Sequence, residues 1–574
     1  MKKLTAILLI AILLFGAIAL VACDDNNNPS GELPDYSNGD PAKKWYVSES
    51  PITLKVFYRD RLDYSIKNND KSSASQIMKV IEEKCNVRFQ WETAQWNMAQ
   101  ANTQFTTAIY SATAYCDLYV FTNAKLSAYG EIGAFYDYSK DYQTYCNSLY
   151  NIVNNDTENN YKAELTSIDN HMYVFPVFTA IKSEKMYLIR KDWLDACKAD
   201  ADLRTRYSLD FADMPETLDD FLNVCRAFKA KYGNQQNFYP FVFDNGLNGM
   251  NLFESFGIDM SISSNSEFFL EDGELKYGPT DSRAKEFVKF MRTMYEEHLI
   301  DPDYENNSSA ADNYFEQGLA GISFGYGTKI DRYQQRIDAL SAKNPNNANL
   351  KDADIQGFLP PKNGDDGEIQ TRRQMMSISD SGGAAISIRT KYPREIMRIF
   401  DFVYSDEGQM LLNFGIQEGQ ENSKYTPTYK MVDGQPLYNE NITNTTDVNG
   451  IALAPADAVR KYGMPDGFPT KQDIRYEQQV ASQAVHDIRE QYLAIMKDPV
   501  PNLKFTAFET QSISSDLTLL QQKYKTWLNG FIQGSRSIND NNWNQYINEM
   551  KALNLDTVVS IYNTAYNRYL QLVK

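Results

Sequence analysis

The chain has 574 residues, too many for a single hydrophobic core, and its 43% hydrophobic and 23% charged residues are those of a globular protein. A net charge of −18 without any basic stripe excludes a nucleic-acid surface, which needs Lys and Arg against phosphates, and excludes charge-driven adhesion to anionic lipid. Aromatic residues reach 13%; composition favours core packing for most of them and leaves a ring-stacking site as the sharper reading.

At the amino terminus, Lys2 and Lys3 precede an uncharged apolar run from Leu4 to Val21, followed by Ala22 and Cys23. A basic start, an apolar run and small residues before a cysteine read as a signal peptide over 1–22. The Leu20-Val21-Ala22-Cys23 ending resembles the lipobox of bacterial lipoproteins. That resemblance implies lipidation of Cys23 and a mature chain on the outer face of the cytoplasmic membrane. No second apolar segment of spanning length follows, so the chain is not itself a permease. Asp24 to Asp40 has almost nothing to bury, and 23–49 reads as a lipidated cysteine with a flexible tether. Cys85, Cys116, Cys146, Cys197 and Cys225 match no zinc or CxxC spacing. Most read as small buried apolar residues, with one bridge left open.

Beyond the tether, Ile52–Val56 and Val87–Trp91 alternate apolar and polar residues as half-buried strands do, and Cys116–Phe121 is a more uniformly apolar strand. Ser72–Lys84 between the first two carries Ile77, Val80 and Ile81 on one helical face, so the segment is a βαβ unit with parallel strands. Two apolar runs flank Pro176 between His171 and Arg190. Thr217 with Asp220 starts a capped helix whose stripe is Leu218, Phe221, Leu222, Cys225 and Phe228. A helix follows Asp281, a short strand covers Gly321–Phe324, and 344–354 and 362–368 are loop-like. Ala384–Ile388 is a strand, Pro393 opens a helix, and the last ~60 residues are helical, with Leu517, Leu520, Tyr524 and Trp527 as a stripe.

In this order the landmarks resemble the family 1 extracellular solute-binding proteins, the maltose-binding-like receptors of ABC importers, and their large Gram-positive-type lipoprotein branch in particular. The likeness rests on Arg190-Lys191-Asp192-Trp193-Leu194 followed by Pro215–Phe221, on Gly318–Ile322, on Asp401–Gly415 with Glu407-Gly408, and on Trp543–Tyr546 and Ala565–Tyr569. It implies an α/β chain with a two-lobed periplasmic-binding-protein-like fold of class II. Each lobe is expected to be a mostly parallel sheet flanked by helices, with a hinge between them and a helical C-terminal region. The implied division is 50–179 plus 378–440 for lobe 1 and 183–370 plus 441–574 for lobe 2, with crossings near Phe178–Ser183 and Phe358–Ser377. Implied partners are a small-molecule or oligosaccharide ligand and ABC permease subunits, for a monomeric receptor. One departure is noted. Relatives often carry an acidic calcium loop where this chain reads Lys231–Asn237 without a carboxylate, so no calcium is expected there.

The sequence carries no motif for catalysis, and its 75 acidic residues guarantee carboxylate pairs by chance, so a glycosidase-like pair is not legible in it. His171, His298 and His486 are far apart, Gly325-Tyr326-Gly327 lacks the third glycine of a dinucleotide turn, and neither a P-loop nor a GxSxG elbow occurs. The chain therefore reads as a non-enzyme with no cofactor and no metal. Sugars offer apolar faces to aromatic rings and hydroxyls to a few fixed polar groups. In the implied cleft, at the carboxyl ends of strands, the candidates are Tyr58, Arg59, Asp60, Trp91, Trp96, Thr122 and Asn123 from lobe 1. Tyr173, Phe178, Asn245, Phe324, Tyr326 and Ser381 complete the set. The expected function is capture of a carbohydrate, an oligosaccharide by preference, for delivery to a permease. The alternatives are a receptor for a peptide or other polar solute, and a surface-anchored polysaccharide-degrading enzyme.

Overall fold

A computed structural model describes residues 33–59, 75–95, 97–180, 185–260, 267–307, 310–371, 377–419, 424–446, 455–463, 465–497 and 499–573. Residues 1–22, read above as a signal peptide, and Cys23, Asp60 and Trp96 lie outside the described residues. In chain order the strands are β1 Ile52–Arg59, β2 Val87–Ala94, β3 Leu118–Val120, β4 Phe175–Phe178, β5 Lys185–Arg190, β6 Phe241–Phe243 and the hairpin β7 Phe268–Glu271 with β8 Glu274–Tyr277. They continue with β9 Ile322–Tyr326, β10 Ile355–Phe358, β11 Ile378–Ile386, the hairpin β12 Tyr429–Val432 with β13 Gln435–Tyr438, and β14 Thr470–Lys471.

Two separate sheets define two lobes. The first has the order β14-β4-β11-β3-β1-β2 and the second β10-β5-β9-β6. In lobe 1, β1 pairs in parallel with β2 and β3, as the βαβ reading requires, because helix Gln76–Cys85 returns the chain to the same end of the sheet. Leu54, Val56 and Tyr58 face one core and Phe57 the other, so β1 is covered on both sides. Pairing is otherwise mixed. β11 runs antiparallel to β3 and β4, and in lobe 2 β5 is antiparallel to β9 and β10, with only β6 and β9 parallel. The mostly parallel sheet expected for lobe 2 is thereby corrected. β5 leaves the crossing and β10 returns to it alongside, so the two must run in opposite directions.

Local sequence signals act where they were read. Thr217 Oγ1 accepts from the Asp220 N–H at 3.1 Å while Asp220 accepts from the Thr217 N–H at 3.0 Å, a reciprocal cap on helix Leu218–Tyr232. Arg190 is fully buried; it grips Asp192 at 2.7–2.8 Å, donates to the Asn349 carbonyl at 2.7 Å and lies 4.5 Å over the Trp193 ring. The C-terminal helices Ala507–Gln533, Asp540–Ala552 and Leu555–Leu572 pack into the lobe 2 core through Leu520, Trp527, Tyr546 and Tyr562.

Two boundaries differ from the sequence reading. Residues 41–49 are not tether: Pro41–Lys43 forms a 3₁₀ turn and Trp45 is buried in the lobe 1 core, its indole N–H donating to Glu407 at 2.9 Å. A large apolar ring gains too much by burial to stay in a spacer. The described residues of 441–480 do not join lobe 2. Ala458, Val459 and Phe468 sit in the lobe 1 core, and β14 pairs with β4. The chain therefore changes lobes a third time, at Ala481–Ser482, where the Ser482 N–H donates to Asp331 of lobe 2 and Val485 enters that lobe's core. The first two crossings are tied together, since the Thr179 N–H donates to the Ser377 carbonyl at 3.0 Å and the Ala180 N–H to Gln472 at 3.0 Å.

Candidate functional site

Strand directions fix which edges of the two sheets meet. β1, β2 and β3 end, and β11 begins, at the edge of lobe 1 where β4 runs into the first crossing. In lobe 2, β5 starts from that crossing, so the ends of β6, β9 and β10 lie at the same side. The facing edges form an inter-lobe cleft at the carboxyl ends of strands, the position where open α/β sheets present ligand groups.

Five of the sequence candidates lie on these edges with side chains at least partly open. Arg59 ends β1, its guanidinium 3.4 Å from Met98 Sδ. Thr122 follows β3 at the start of helix Asn123–Glu131. Ser381 is exposed at the beginning of β11, its hydroxyl 2.8 Å from that of Ser379. Across the gap, Asn245 follows β6 in a left-handed conformation, φ +66°, that asparagine tolerates better than most residues. Tyr326 ends β9 at 44% exposure with the Lys185 ammonium 5.4 Å from its ring centre.

The other described candidates are taken up by the cores. Tyr58 and Trp91, each 1% exposed, meet edge to face at 5.5 Å, and the Tyr58 hydroxyl donates to the Asp466 carbonyl at 2.8 Å. Tyr173 packs on Gly130, where any Cβ would come within 2.4 Å of the ring, and its hydroxyl donates to Asp169 at 2.7 Å. Phe178 packs at a tilt against Tyr161, ring centres 4.5 Å apart, and Phe324 likewise against Tyr187 at 5.0 Å. Asn123 is buried and accepts from Ser127 at 3.1 Å. These rings and polar atoms have partners inside the protein, so they shape the walls and do not line the cleft.

Further groups at the edges were not picked out from the sequence. Asp244, directly after β6, accepts from the Ala311 N–H at 3.3 Å and from Lys329 at 3.5 Å. Lys329 also grips Asp312 at 2.5 Å, and the Tyr333 hydroxyl donates to Asp312 at 2.7 Å. Burial pushes the Asp312 carboxyl up, but Lys329 and Tyr333 outweigh it and hold it below the usual carboxylate range. This network fixes the turn that presents Asn245. At the second crossing, the Thr371 hydroxyl donates to buried Glu254 at 2.9 Å, and burial pushes that carboxyl up to about 8. Glu164 of lobe 1 is 9% exposed. Burial raises Glu164 to about 7 against the opposing pull of Lys504, whose own value the same burial lowers.

The described cysteines are all free and buried. At the loop expected to lack calcium, Lys231 pairs with Asp200 at 3.1 Å. Among the described residues, no cluster of three or more His, Cys, Asp or Glu is arranged to hold a metal ion, and no helix is long and apolar enough to cross a membrane.

The sequence pattern of the bacterial extracellular solute-binding proteins matches residues 68–410, more than half of the chain. The chain belongs to that family. Among curated relatives, this solute-binding protein is 26% identical over 298 residues to lipoprotein LipO of Bacillus subtilis, covering 50% of the chain and 52% of LipO. It is 30% identical over 161 residues to the fructooligosaccharide ABC transporter substrate-binding protein FusA of Streptococcus pneumoniae, covering 26% of the chain and 27% of FusA. The chain thus spans about half or less of the length of the curated relatives it matches. Among solved structures, the alginate-binding protein AlgQ2 without calcium superposes with TM-score 0.68 at 19% identity, over 92% of this chain and 100% of that one. FusA in complex with kestose superposes with TM-score 0.66 at 19% identity, over 90% and 99%. These likenesses confirm the two-lobed α/β fold.

Proposed function

We propose that this solute-binding protein is a lipid-anchored receptor that captures an oligosaccharide between its lobes and delivers it to an ABC permease, without altering it. The observation that carries the reading is the pair of facing sheet edges, which offers one half-exposed tyrosine ring among short polar groups: Arg59, Thr122, Ser379 and Ser381 opposite Asn245 and Tyr326. A ring for the apolar face of a sugar and hydroxyl, amide and guanidinium groups for its hydroxyls are the two things a saccharide site requires. The name of the pneumococcal relative, which refers to fructooligosaccharide, supports the same ligand class. Capture works through closure: a ligand touching both edges binds the closed arrangement better and shifts the population toward it.

The test is calorimetric titration of the soluble chain with fructo-, malto- and manno-oligosaccharides, with short peptides as controls and chromatography of the recovered ligand. The reading predicts saturable binding of one glycan class and its recovery intact. Cleavage of the glycan would establish the enzyme alternative, and binding of peptides alone would remove the carbohydrate claim while leaving the receptor claim standing.

A further inference from the structure

A cavity of about 570 Å³ opens in lobe 1 beside the crossings, within the roughly 300–1,000 Å³ of small-molecule sites. None of the cleft-edge groups Arg59, Thr122, Ser381, Asn245 and Tyr326 lines it. One wall is the end of β4 with the start of the first crossing, residues 178–180; the next is the segment 471–475, which leads to the third crossing. Hydrogen bonds lace the two together. The Gln472 N–H donates to the Phe178 carbonyl at 2.9 Å, and the Ala180 N–H donates to the Gln472 side chain at 3.0 Å. Thr179 between them donates to the Ser377 carbonyl at 3.0 Å, which ties this wall to the second crossing as well. From the other side, Gln409 and Asn413 of helix Asp406–Phe414 accept from the Lys471 N–H at 2.9 Å and the Asp473 N–H at 3.0 Å. The walls are therefore fixed by hydrogen bonds on both sides.

The lining sets the chemistry of the occupant. Ile152, Met410 and Ile474 supply an aliphatic and thioether side, and Ile474 is left 54% exposed. Tyr161, Phe178 and Tyr404 also border the cavity but are buried, so no ring face is open for a sugar to stack on. Arg475 grips Asp473 at 2.6 Å, and the two charges offset each other. Two exposed carboxylates, Glu158 and Asp406, then stand against one exposed ammonium, Lys471. Among the described residues, neither carboxylate has an ion pair or a side-chain hydrogen bond. An aliphatic wall beside an excess of unpaired carboxylate suits an ammonium group carried on an apolar body and disfavours an anion.

We infer that this cavity is a second binding site, for a small primary amine with an aliphatic body. Its place gives it a use: a ligand lodged against segments that lead through the crossings is coupled to the movement of the lobes, and by linkage it changes affinity at the cleft. The site stands apart from the carbohydrate reading, and only the coupling rests on it.

The experiment is calorimetric titration of the unaltered chain with leucinamide and hexylamine. N-acetyl-leucinamide, which keeps the body and drops the charge, and hexanoate, which reverses the charge, are the controls. The same probes are titrated into the double variant Glu158→Gln with Asp406→Asn, whose positions are exposed and outside the cores. The expected result is saturable binding of both amines, weaker by about tenfold or more for the controls and in the double variant. No binding of either amine up to about 10 mM, equal binding of N-acetyl-leucinamide, or an unchanged affinity in the double variant would overturn the site. With leucinamide at saturation, the glycan Kd is expected to shift by about twofold or more in the unaltered chain and to hold in the double variant. A glycan Kd that saturating amine leaves unchanged would overturn the coupling. A chain that binds the amines and no glycan would overturn the carbohydrate reading and support the site.

Discussion

Replacing Tyr326 with Ala removes an aromatic ring that, among the described residues, the cleft edge leaves substantially open. At 44% exposure, and with roughly 200 Å² of surface for a tyrosine side chain, about 90 Å² is available to a ligand. At about 25 cal/mol per Å² that sets a ceiling near 2 kcal/mol. Ordering costs on binding lower the realised loss to about 1–2 kcal/mol, a roughly 5- to 30-fold weaker Kd. Folding loses less than it would for a core ring, because the remaining half of Tyr326 and its contact with Lys185 account for only about 1–2 kcal/mol. Phe324→Ala, two residues earlier on the same strand, is the contrast. That ring is buried against Tyr187, so its removal lowers stability by about 3–5 kcal/mol. Calorimetric titration of the folded Tyr326→Ala protein is the assay, with chemical denaturation of both variants beside it. A Kd for Tyr326→Ala within about twofold of the unaltered chain would refute the assignment of this ring to the ligand.

Three further outcomes are expected. Trp45→Ala lowers unfolding free energy by about 3–5 kcal/mol in urea titration, because its ring is in the lobe 1 core and its N–H bonds Glu407; no loss would return 41–49 to the tether. Arg190→Met costs about 3–5 kcal/mol by the same assay, since Asp192 and the Asn349 carbonyl lose a buried charged partner. Glu164 gives a pH dependence: burial raises its carboxyl from an ordinary 4.5 to about 7, so the folded chain holds a proton that the unfolded chain releases. Its contribution is therefore full below about pH 4.5 and is lost as pH rises through 7. Lys504, lowered by burial, acts in the opposite sense, so Glu164→Gln isolates the acid. The melting temperature of the unaltered chain relative to Glu164→Gln should fall between pH 5 and 8, and a flat difference would contradict the assigned titration.

Local features were legible in the sequence because they are set by neighbours in the chain. The alternation of Ile52–Val56 and Val87–Trp91 gave the parallel pair, and Thr217 with Asp220 gave the helix start. Alternation does not say whether both faces of a strand are covered. Tyr58 and Trp91 looked like ligand rings at strand ends, but lobe 1 carries a core on each side of β1, and both rings are used to fill one of them. The two-residue strand β14 has no periodicity to read, so residues 441–480 were assigned to the wrong lobe. Tyr326 was legible as an aromatic at the end of an apolar strand, while its exposure depends on the hinge side being left uncovered.

The measurement that bears most directly on the account is a crystal structure of the soluble chain with the glycan selected by titration. The account predicts the sugar between the lobes, touching Arg59, Thr122 or Ser381 on one edge and Asn245 and Tyr326 on the other. A glycan bound elsewhere, such as the roughly 630 Å³ surface pocket lined by Val80, Lys84, Glu407, Met410 and Tyr425 of lobe 1, would contradict it.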